Sequence, residues 1–175
     1  MLTDLEPLKI GTGNGSVSTA ERPYRLVEMD RDNPESVMFL IPLMDRCVAF
    51  SEKYRSDTLP EILRSLMFQA FHTKSERWKM IVAVDEAGKI IGHCVADIEA
   101  YGLLGDVVFI IQVEKDVNIP GIAEDAFGVI RKWAARHRIK HILNMALSEA
   151  HARLYQKDYG FKPYRFLLRL DTGVE

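Results

Sequence analysis

The pattern of apolar and polar positions divides most of the chain into alternating strands and helices. Runs with strand character cover residues 24–29, 79–85, 90–99, 106–113, 141–147 and 164–170, and helical spacing of apolar residues covers residues 37–48, 59–70, 120–138 and 149–158. Short turns join the three middle strands, whereas a helix connects the strand at 106–113 to the next one. The pattern therefore predicts a mixed sheet in an α+β or α/β fold.

The second helix is predicted to bury one continuous apolar stripe against the core. Thr58 precedes it as a possible N-cap, and Pro60 lies near its start. The stripe consists of Leu59, Ile62, Leu63, Leu66, Met67 and Ala70.

Residues 1–22 differ in composition from the rest of the chain. They are rich in Gly, Ser and Thr and contain few residues to bury, so we expect a flexible N-terminal tail. The remaining residues, 23–175, are of a suitable length for one domain, and 47% of the 175-residue chain is hydrophobic. We therefore expect a single domain over residues 23–175.

Charge and cysteine content exclude several classes of function. A formal net charge of −2 does not fit a dedicated nucleic-acid binder. Cys47 and Cys94 lie in apolar segments and form no disulfide framework, which suits a reducing cytoplasm. Because no apolar run reaches the length of a membrane span and no signal-peptide pattern opens the chain, we expect a cytoplasmic protein without a membrane partner.

The segment after the third middle strand carries the clearest chemical signal. The apolar strand ending at Val113 is followed by a short polar link, then by Gly121 and Ala123, and then by a helical pattern. The first amides of a helix have no intrahelical partner and lie at the positive end of its dipole. Small side chains leave these amides accessible, so the segment predicts a site for a phosphate or pyrophosphate group.

Two motifs in register resemble the GNAT superfamily of N-acetyltransferases. In that superfamily a strand ending in Val is followed five positions later by [QR]-x-x-G-x-[GA], and here Val113 precedes Asn118, Gly121 and Ala123 at that spacing. A later signature, N-x-x-A-x-x-L-Y-x-K-x-G-F, corresponds to Ser148, Leu154, Tyr155, Lys157, Gly160 and Phe161. The resemblance covers residues 24–171. It implies the α/β-type GNAT fold: a mixed, mostly antiparallel central sheet of about six to seven strands, flanked by about four helices.

The resemblance also implies an activity, the transfer of an acetyl group from acetyl-CoA to a primary amine by direct attack on the thioester. It assigns the backbone amide of Val113 to the thioester oxygen, and Tyr155 to protonation of the departing thiolate. The cofactor-binding residues that it implies are Val113, Asn118, Ile119, Gly121, Ile122, Ala123, Glu124 and Ser148.

The base that deprotonates the amine is less defined. Glu114 at the strand end is the first candidate and Glu99 the second, although an exposed carboxylate is more often only a solvated charge, and a chain of waters is an alternative. An alternative interpretation of Tyr155 is structural: its ring covers the apolar edge of a short helix.

Four departures from the motifs support an alternative function. Asn118 replaces Gln or Arg, Pro120 removes a backbone donor, Ser148 replaces Asn, and one extra residue separates Tyr155 from Gly160. The alternative is a non-catalytic GNAT-like protein that acts as a partner-binding or CoA-binding regulatory module. The acceptor is not readable from residues 31–74, which are expected to form its site, and a homodimer is left open.

Two further groups of residues are candidate sites. Arg131, Lys132, Arg136, Arg138 and Lys140 form a basic cluster at the end of the third helix. It is interpreted first as a solvated helix end that suits the dipole, and second as a contact for the 3′-phosphate of CoA. The five histidines lack metal-ligand spacing, so no metal site is predicted.

Overall fold

The computed structural model describes residues 22–54, 60–116 and 119–163. In chain order the elements are β1 (Arg25–Glu28), α1 (Pro34–Tyr54), α2 (Pro60–His72), β2 (Trp78–Val84), β3 (Ile90–Ala100), β4 (Asp106–Lys115), α3 (Ile122–Arg136), β5 (Ile142–Asn144) and α4 (Glu149–Tyr159). A single 3₁₀ turn at Gly102–Leu104 joins β3 to β4.

The strands form one sheet in the order β1-β2-β3-β4-β5. Neighbouring strands are antiparallel except for β4 and β5, which are parallel because α3 crosses between them. The predicted mixed, mostly antiparallel sheet and the four helices are therefore confirmed. The predicted number of six to seven strands is not matched, since the described residues contain five.

Two strand predictions differ from the described structure, and the first of them bears on the strand number. The strand predicted at residues 164–170 lies outside the described residues. The strand predicted at 141–147 is shortened to Ile142–Asn144, because its parallel pairing with β4 stops where β4 becomes irregular.

Helices cover both faces of the sheet. On one face α1 and α2 contribute Leu43, Cys47 and Met67 to a core shared with β2 and β3. On the other face α3 and α4 contribute Ile130 and Tyr155 to a second core with β3 and β4. Cys47 and Cys94 are both buried free thiols, one in each core, as the sequence predicted.

The predicted apolar stripe of α2 is only partly buried. Leu63, Met67 and Ala70 face the core, but Ile62 and Leu66 are about half exposed. The physical reason is that only a narrow face of α2 contacts the core. Successive residues are rotated by about 100° around the helix axis, so residues at the outer edge of a wide apolar stripe face solvent. Thr58 and Leu59 lie outside the described residues.

The predicted tail lies outside the described residues apart from Arg22, and its flexibility and the single domain stay predictions. Among the described helices, none combines the length and the apolar composition needed to cross a bilayer.

Candidate functional site

A β-bulge in β4 lies next to the point where its pairing with β5 ends, and the unpaired edge of β4 beyond that point is called the gap between β4 and β5. The register between β3 and β4 shifts at Val95 and Ala96, whose partners are Gln112 and Ile110, so that Ile111 is an extra residue. The pairs between β4 and β5 end at Ile110 and Asn144. Beyond this point, within the described residues, β4 continues to Lys115 without β5 beside it.

The backbone amide of Val113 is directed toward this gap. The amide of Asp116 donates to the carbonyl of Ile91 on β3 at 2.8 Å. Backbone donors alternate in direction along a strand, so the amides of Gln112 and Glu114 also face β3. The amide of Val113 therefore faces the opposite edge of β4, as the role predicted for it requires.

Residues 119–121 lead directly into α3. Gly121 is the N-cap of α3 and has a left-handed backbone with φ 91°, a conformation that favours glycine. Ile122 packs closely on β3: a Cβ added to Gly92 would lie 2.8 Å from the Cγ2 atom of Ile122. The described part of the predicted phosphate turn, residues 119–121, thus lies at the start of α3, which packs against the sheet. Asn118 lies outside the described residues.

Sequence reasoning missed a polar cluster that lies against Gly121. The hydroxyl of Tyr24 donates to Asp125 Oδ2 at 2.7 Å, and Arg22 Nε lies 3.5 Å from the same oxygen. Burial and this hydrogen bond raise the pKa of Tyr24. No sequence signal could have located the cluster, because residues 22 and 24 meet residue 125 only through the crossing of α3 over the sheet.

Tyr155 is the buried residue of α4. It is 6% exposed, and its ring contacts those of Phe127, Tyr159 and Phe161 at centroid distances of 6.1, 5.6 and 5.4 Å. Burial raises the pKa of Tyr155 to about 12, opposed by the nearby side chain of Asn144, the residue that ends β5. The hydroxyl therefore lies close to the point where the pairing between β4 and β5 ends. It is fully protonated at neutral pH.

The extra residue before Gly160 does not displace Tyr155. Gly160 has a left-handed backbone with φ 72° and its amide bonds to the Tyr155 carbonyl, so α4 ends at Gly160. Because the added residue follows Tyr155, it lengthens the last turn and leaves the orientation of Tyr155 unchanged.

Ser148 has a structural task in addition to its predicted one. Its hydroxyl accepts a hydrogen bond from the His151 amide at 3.1 Å and caps α4. The predicted contact of Ser148 with the coenzyme stays a prediction.

Glu114 lies on the α1 face of the sheet and is paired with an arginine. Arg46 Nη2 lies 3.2 Å from Glu114 Oε2 and 3.2 Å from Asp116 Oδ1, and Arg46 Nη1 donates to the Ile90 carbonyl at 2.9 Å. Arg46 therefore links α1 to the strand end that leads into the phosphate turn. The pairing also occupies part of the acceptor capacity of the candidate base.

A fully buried imidazole lies next to Glu114. His93 Nδ1 is 3.8 Å from Glu114 Oε2, and neither ring nitrogen has a hydrogen-bond partner among the described residues. Burial and the nearby charge of Arg46 lower the pKa of His93 to about 4, so the ring is neutral at pH 7. Gln112 lies on the same face and donates to the Cys47 carbonyl and to Ser51 Oγ. Nothing in the strand pattern predicted a polar cluster here.

Glu99, the second candidate base, is exposed near the end of β3. Its neighbour on the same strand face, Asp97, is partly buried. Burial and the charge of Glu99 raise the pKa of Asp97 to about 7. The two carboxylates are paired with the β4 segment before the bulge, and not with the segment that carries Val113.

The basic cluster lies at the far end of α3 from the phosphate turn. With a rise of about 1.5 Å per residue, Arg136 is about 20 Å from Gly121. This distance favours the interpretation of a solvated helix end over a contact with the 3′-phosphate of a coenzyme bound at the turn.

The fold of this chain is similar to known structures, whereas its sequence matches no known family. No family model matches the sequence, and no curated protein matches it. Similar solved structures include a predicted acetyltransferase from Clostridium acetobutylicum with acetyl-CoA (TM-score 0.63, 16% identity, 85% of this chain and 96% of that chain). They also include the aminoglycoside antibiotic 6′-N-acetyltransferase from Acinetobacter baumannii (0.62, 13%, 86% and 100%) and glucosamine-6-phosphate N-acetyltransferase from Arabidopsis thaliana (0.59, 14%, 85% and 98%).

These neighbours define the structural class. They cover most of this chain and nearly all of their own, and all three are described as acetyltransferases. The fold is that of the GNAT superfamily, and the resemblance drawn from the sequence motifs is confirmed at the level of the fold.

Proposed function

We propose that the protein is an N-acetyltransferase that transfers an acetyl group from acetyl-CoA to a primary amine by direct attack on the thioester. One observation carries the proposal: the amide of Val113 is directed into the gap between β4 and β5, next to the first turn of α3. The neighbour solved with acetyl-CoA supports a CoA thioester as donor.

The thioester oxygen gains negative charge as the amine nitrogen attacks the carbonyl carbon. A fixed backbone donor at that oxygen stabilises the transition state more than the ground state, and in this proposal the Val113 amide supplies it. The amides from Ile119 to Glu124 hold the pyrophosphate, where the dipole of α3 favours an anion.

Collapse of the tetrahedral intermediate breaks the C–S bond and leaves the electron pair on sulfur. In the proposed mechanism the Tyr155 hydroxyl gives its proton to this thiolate and regains one from solvent. A phenol that is fully protonated at neutral pH suits this role. Tyr155 also lies near Asn144, where the pairing between β4 and β5 ends.

Deprotonation of the amine is assigned to Glu114, directly or through water. Its side chain is about one quarter exposed and lies one residue from Val113, but Arg46 holds it in an ion pair. Proton transfer to Glu114 therefore requires that the carboxylate loosen its contact with Arg46 when the acceptor binds.

A second candidate function is a regulatory module that keeps CoA binding without turnover. Two observations favour it: Glu114 is engaged by Arg46, and the Tyr155 ring is enclosed by other aromatic rings. Both candidates share the same coenzyme site and differ only in chemistry.

Thermal unfolding with acetyl-CoA tests the shared part of both candidates. A ligand at about 100 times its dissociation constant adds roughly 2.7 kcal/mol, which raises the Tm by roughly 5–10 °C for a domain of this size. S-acetylpantetheine, which carries the thioester without the nucleotide, is the matched control and should shift the Tm far less. If millimolar acetyl-CoA leaves the Tm unchanged, both candidates fail.

Turnover separates the two candidates. Release of CoA thiol is measured with a panel of primary amines, among them aminoglycosides and amino sugars. Thiol release that depends on the amine supports the acetyltransferase. Stabilisation by acetyl-CoA without amine-dependent thiol release supports the regulatory module.

A further inference from the structure

The space in front of Gly121 is filled by two side chains from the start of the described chain. A Cβ placed on Gly121 would lie 2.6 Å from Arg22 Cζ and 2.9 Å from the Tyr24 hydroxyl. Among the guanidinium atoms, Nη1 is nearest to that position. Arg22 therefore lies directly on the backbone of the turn that is proposed to hold the coenzyme phosphates.

Tyr24 and Asp125 hold the guanidinium in this place. The Tyr24 ring is buried, and its hydroxyl is fixed by Asp125 Oδ2 at 2.7 Å. The same oxygen lies 3.5 Å from Arg22 Nε, and Arg22 Cζ is 6.0 Å from the centroid of the Tyr24 ring. Because Asp125 faces the Nε side, the guanidinium presents Nη1 to Gly121, while about half of the side chain stays exposed to solvent.

The charges around the turn favour a cation beside a bound phosphate. The first turn of α3 carries Glu124 and Asp125, which suit the helix dipole but repel an incoming anion. Pro120 supplies no amide, and Asn118 is uncharged. A guanidinium offers a delocalised positive charge and several donors in a fork that matches phosphate oxygens.

We propose that Arg22 binds a phosphate group of the coenzyme at the Gly121 turn and supplies the positive charge that Asn118 does not. This inference rests on the proposed function and deepens it, since it concerns the same site. The pyrophosphate and the 3′-phosphate of CoA share this chemistry, and the experiment distinguishes them.

The test compares wild-type protein with Arg22→Gln, Arg22→Lys and a matched control, Arg25→Gln. Arg25 is an exposed arginine on β1 that pairs with Glu35, so its replacement removes the same charge and a comparable ion pair away from the turn. Dissociation constants for CoA and for 3′-dephospho-CoA are measured by calorimetry at low and at moderate salt. Circular dichroism and the Tm of each variant verify folding.

We expect Arg22→Gln to weaken CoA binding by about 10- to 150-fold, the range of a charge-assisted hydrogen bond, and to reduce its salt dependence. Arg22→Lys keeps the charge without the fork and should lose less affinity, while Arg25→Gln should bind nearly as the wild type does. Weakening for both ligands assigns the contact to the pyrophosphate. Weakening for CoA alone assigns it to the 3′-phosphate.

Two outcomes would refute the role of Arg22 and leave the proposed function intact. Equal binding by wild type and Arg22→Gln means that the arginine only closes the surface next to Asp125, and tighter binding by Arg22→Gln means that it obstructs the turn. If the wild-type protein binds neither ligand, the proposed function fails and this inference fails with it.

Discussion

Replacement of Tyr155 by Phe removes one hydroxyl and leaves the aromatic packing in place. The ring lies among Phe127, Tyr159, Phe161 and His151, and none of these contacts depends on the oxygen atom. The change in stability is then limited to the loss of one hydroxyl near the Asn144 side chain, and we expect it not to exceed about 1 kcal/mol. For a domain of this size, we expect the Tm to fall by roughly 2–4 °C.

The effect on turnover should be much larger than the effect on stability. If Tyr155 protonates the leaving thiolate, its loss lowers kcat by roughly 10²- to 10⁴-fold, the usual contribution of a positioned acid. The affinity for acetyl-CoA should stay nearly constant, because the interaction exists mainly in the transition state.

The assay follows release of CoA thiol at saturating amine, together with acetyl-CoA affinity from calorimetry. Tyr159→Phe is the matched control, since it removes a hydroxyl from the same aromatic cluster at a half-buried residue without a predicted role. Burial raises the pKa of Tyr155 to about 12, so the acid keeps its proton up to about pH 11, and loss of this proton should not limit the rate at pH 7–10. Normal turnover by Tyr155→Phe, or an equal loss in Tyr159→Phe, would refute the acid role.

Two further predictions concern backbone strain and acid stability. Gly121→Ala should destabilise the fold by roughly 1–3 kcal/mol and weaken CoA binding, because φ is 91° and the new Cβ meets Arg22. The control, Gly128→Ala, places a methyl group in open space on the same helix and should stabilise the fold by roughly 0.5–1 kcal/mol. Equal effects of the two substitutions in urea titrations would contradict this prediction. Burial lowers the pKa of His93 to about 4, below its unfolded value of 6.5, so the unfolded chain binds more protons between these pH values and stability falls as the pH drops through them. His93→Leu should remove about 3 kcal/mol of the loss between pH 7 and pH 4, and an unchanged wild-type pH dependence in that variant would count against it.

The element order was predictable because each element has a clear period. The hairpin from β2 to β3 and the amphipathic α3 lie within a few residues of their predicted bounds. The fold followed from these elements and from two motifs in register. The width of the buried face of α2 was not predictable in the same way. Periodicity gives the direction of a face, whereas the neighbouring elements decide how much of it is covered, as the exposure of Leu66 illustrates.

The candidate site was predictable only where its residues are close in sequence. The turn at Gly121 and the inward position of Tyr155 follow from local patterns. The contact of Arg22 with Gly121 joins positions about 100 residues apart, and the ion pair of Arg46 with Glu114 joins positions 68 apart. Such contacts depend on the packing of α1 and α3 on opposite faces of the sheet, which no local pattern records.

The bulge at Ile111 determines on which face of the sheet each later side chain of β4 lies. Before the bulge, Val108 and Ile110 pack against α3, and an unbroken alternation would keep even-numbered residues on that face. The extra residue reverses the alternation: Val113 packs on the α3 and α4 face, while Gln112 and Glu114 turn toward α1. The candidate acid, Tyr155, and the candidate base, Glu114, consequently lie on opposite faces of the sheet, on either side of the gap into which the Val113 amide is directed. One inserted residue thus lies where the β4–β5 pairing ends, and it places the candidate acid and the candidate base on opposite faces of the sheet.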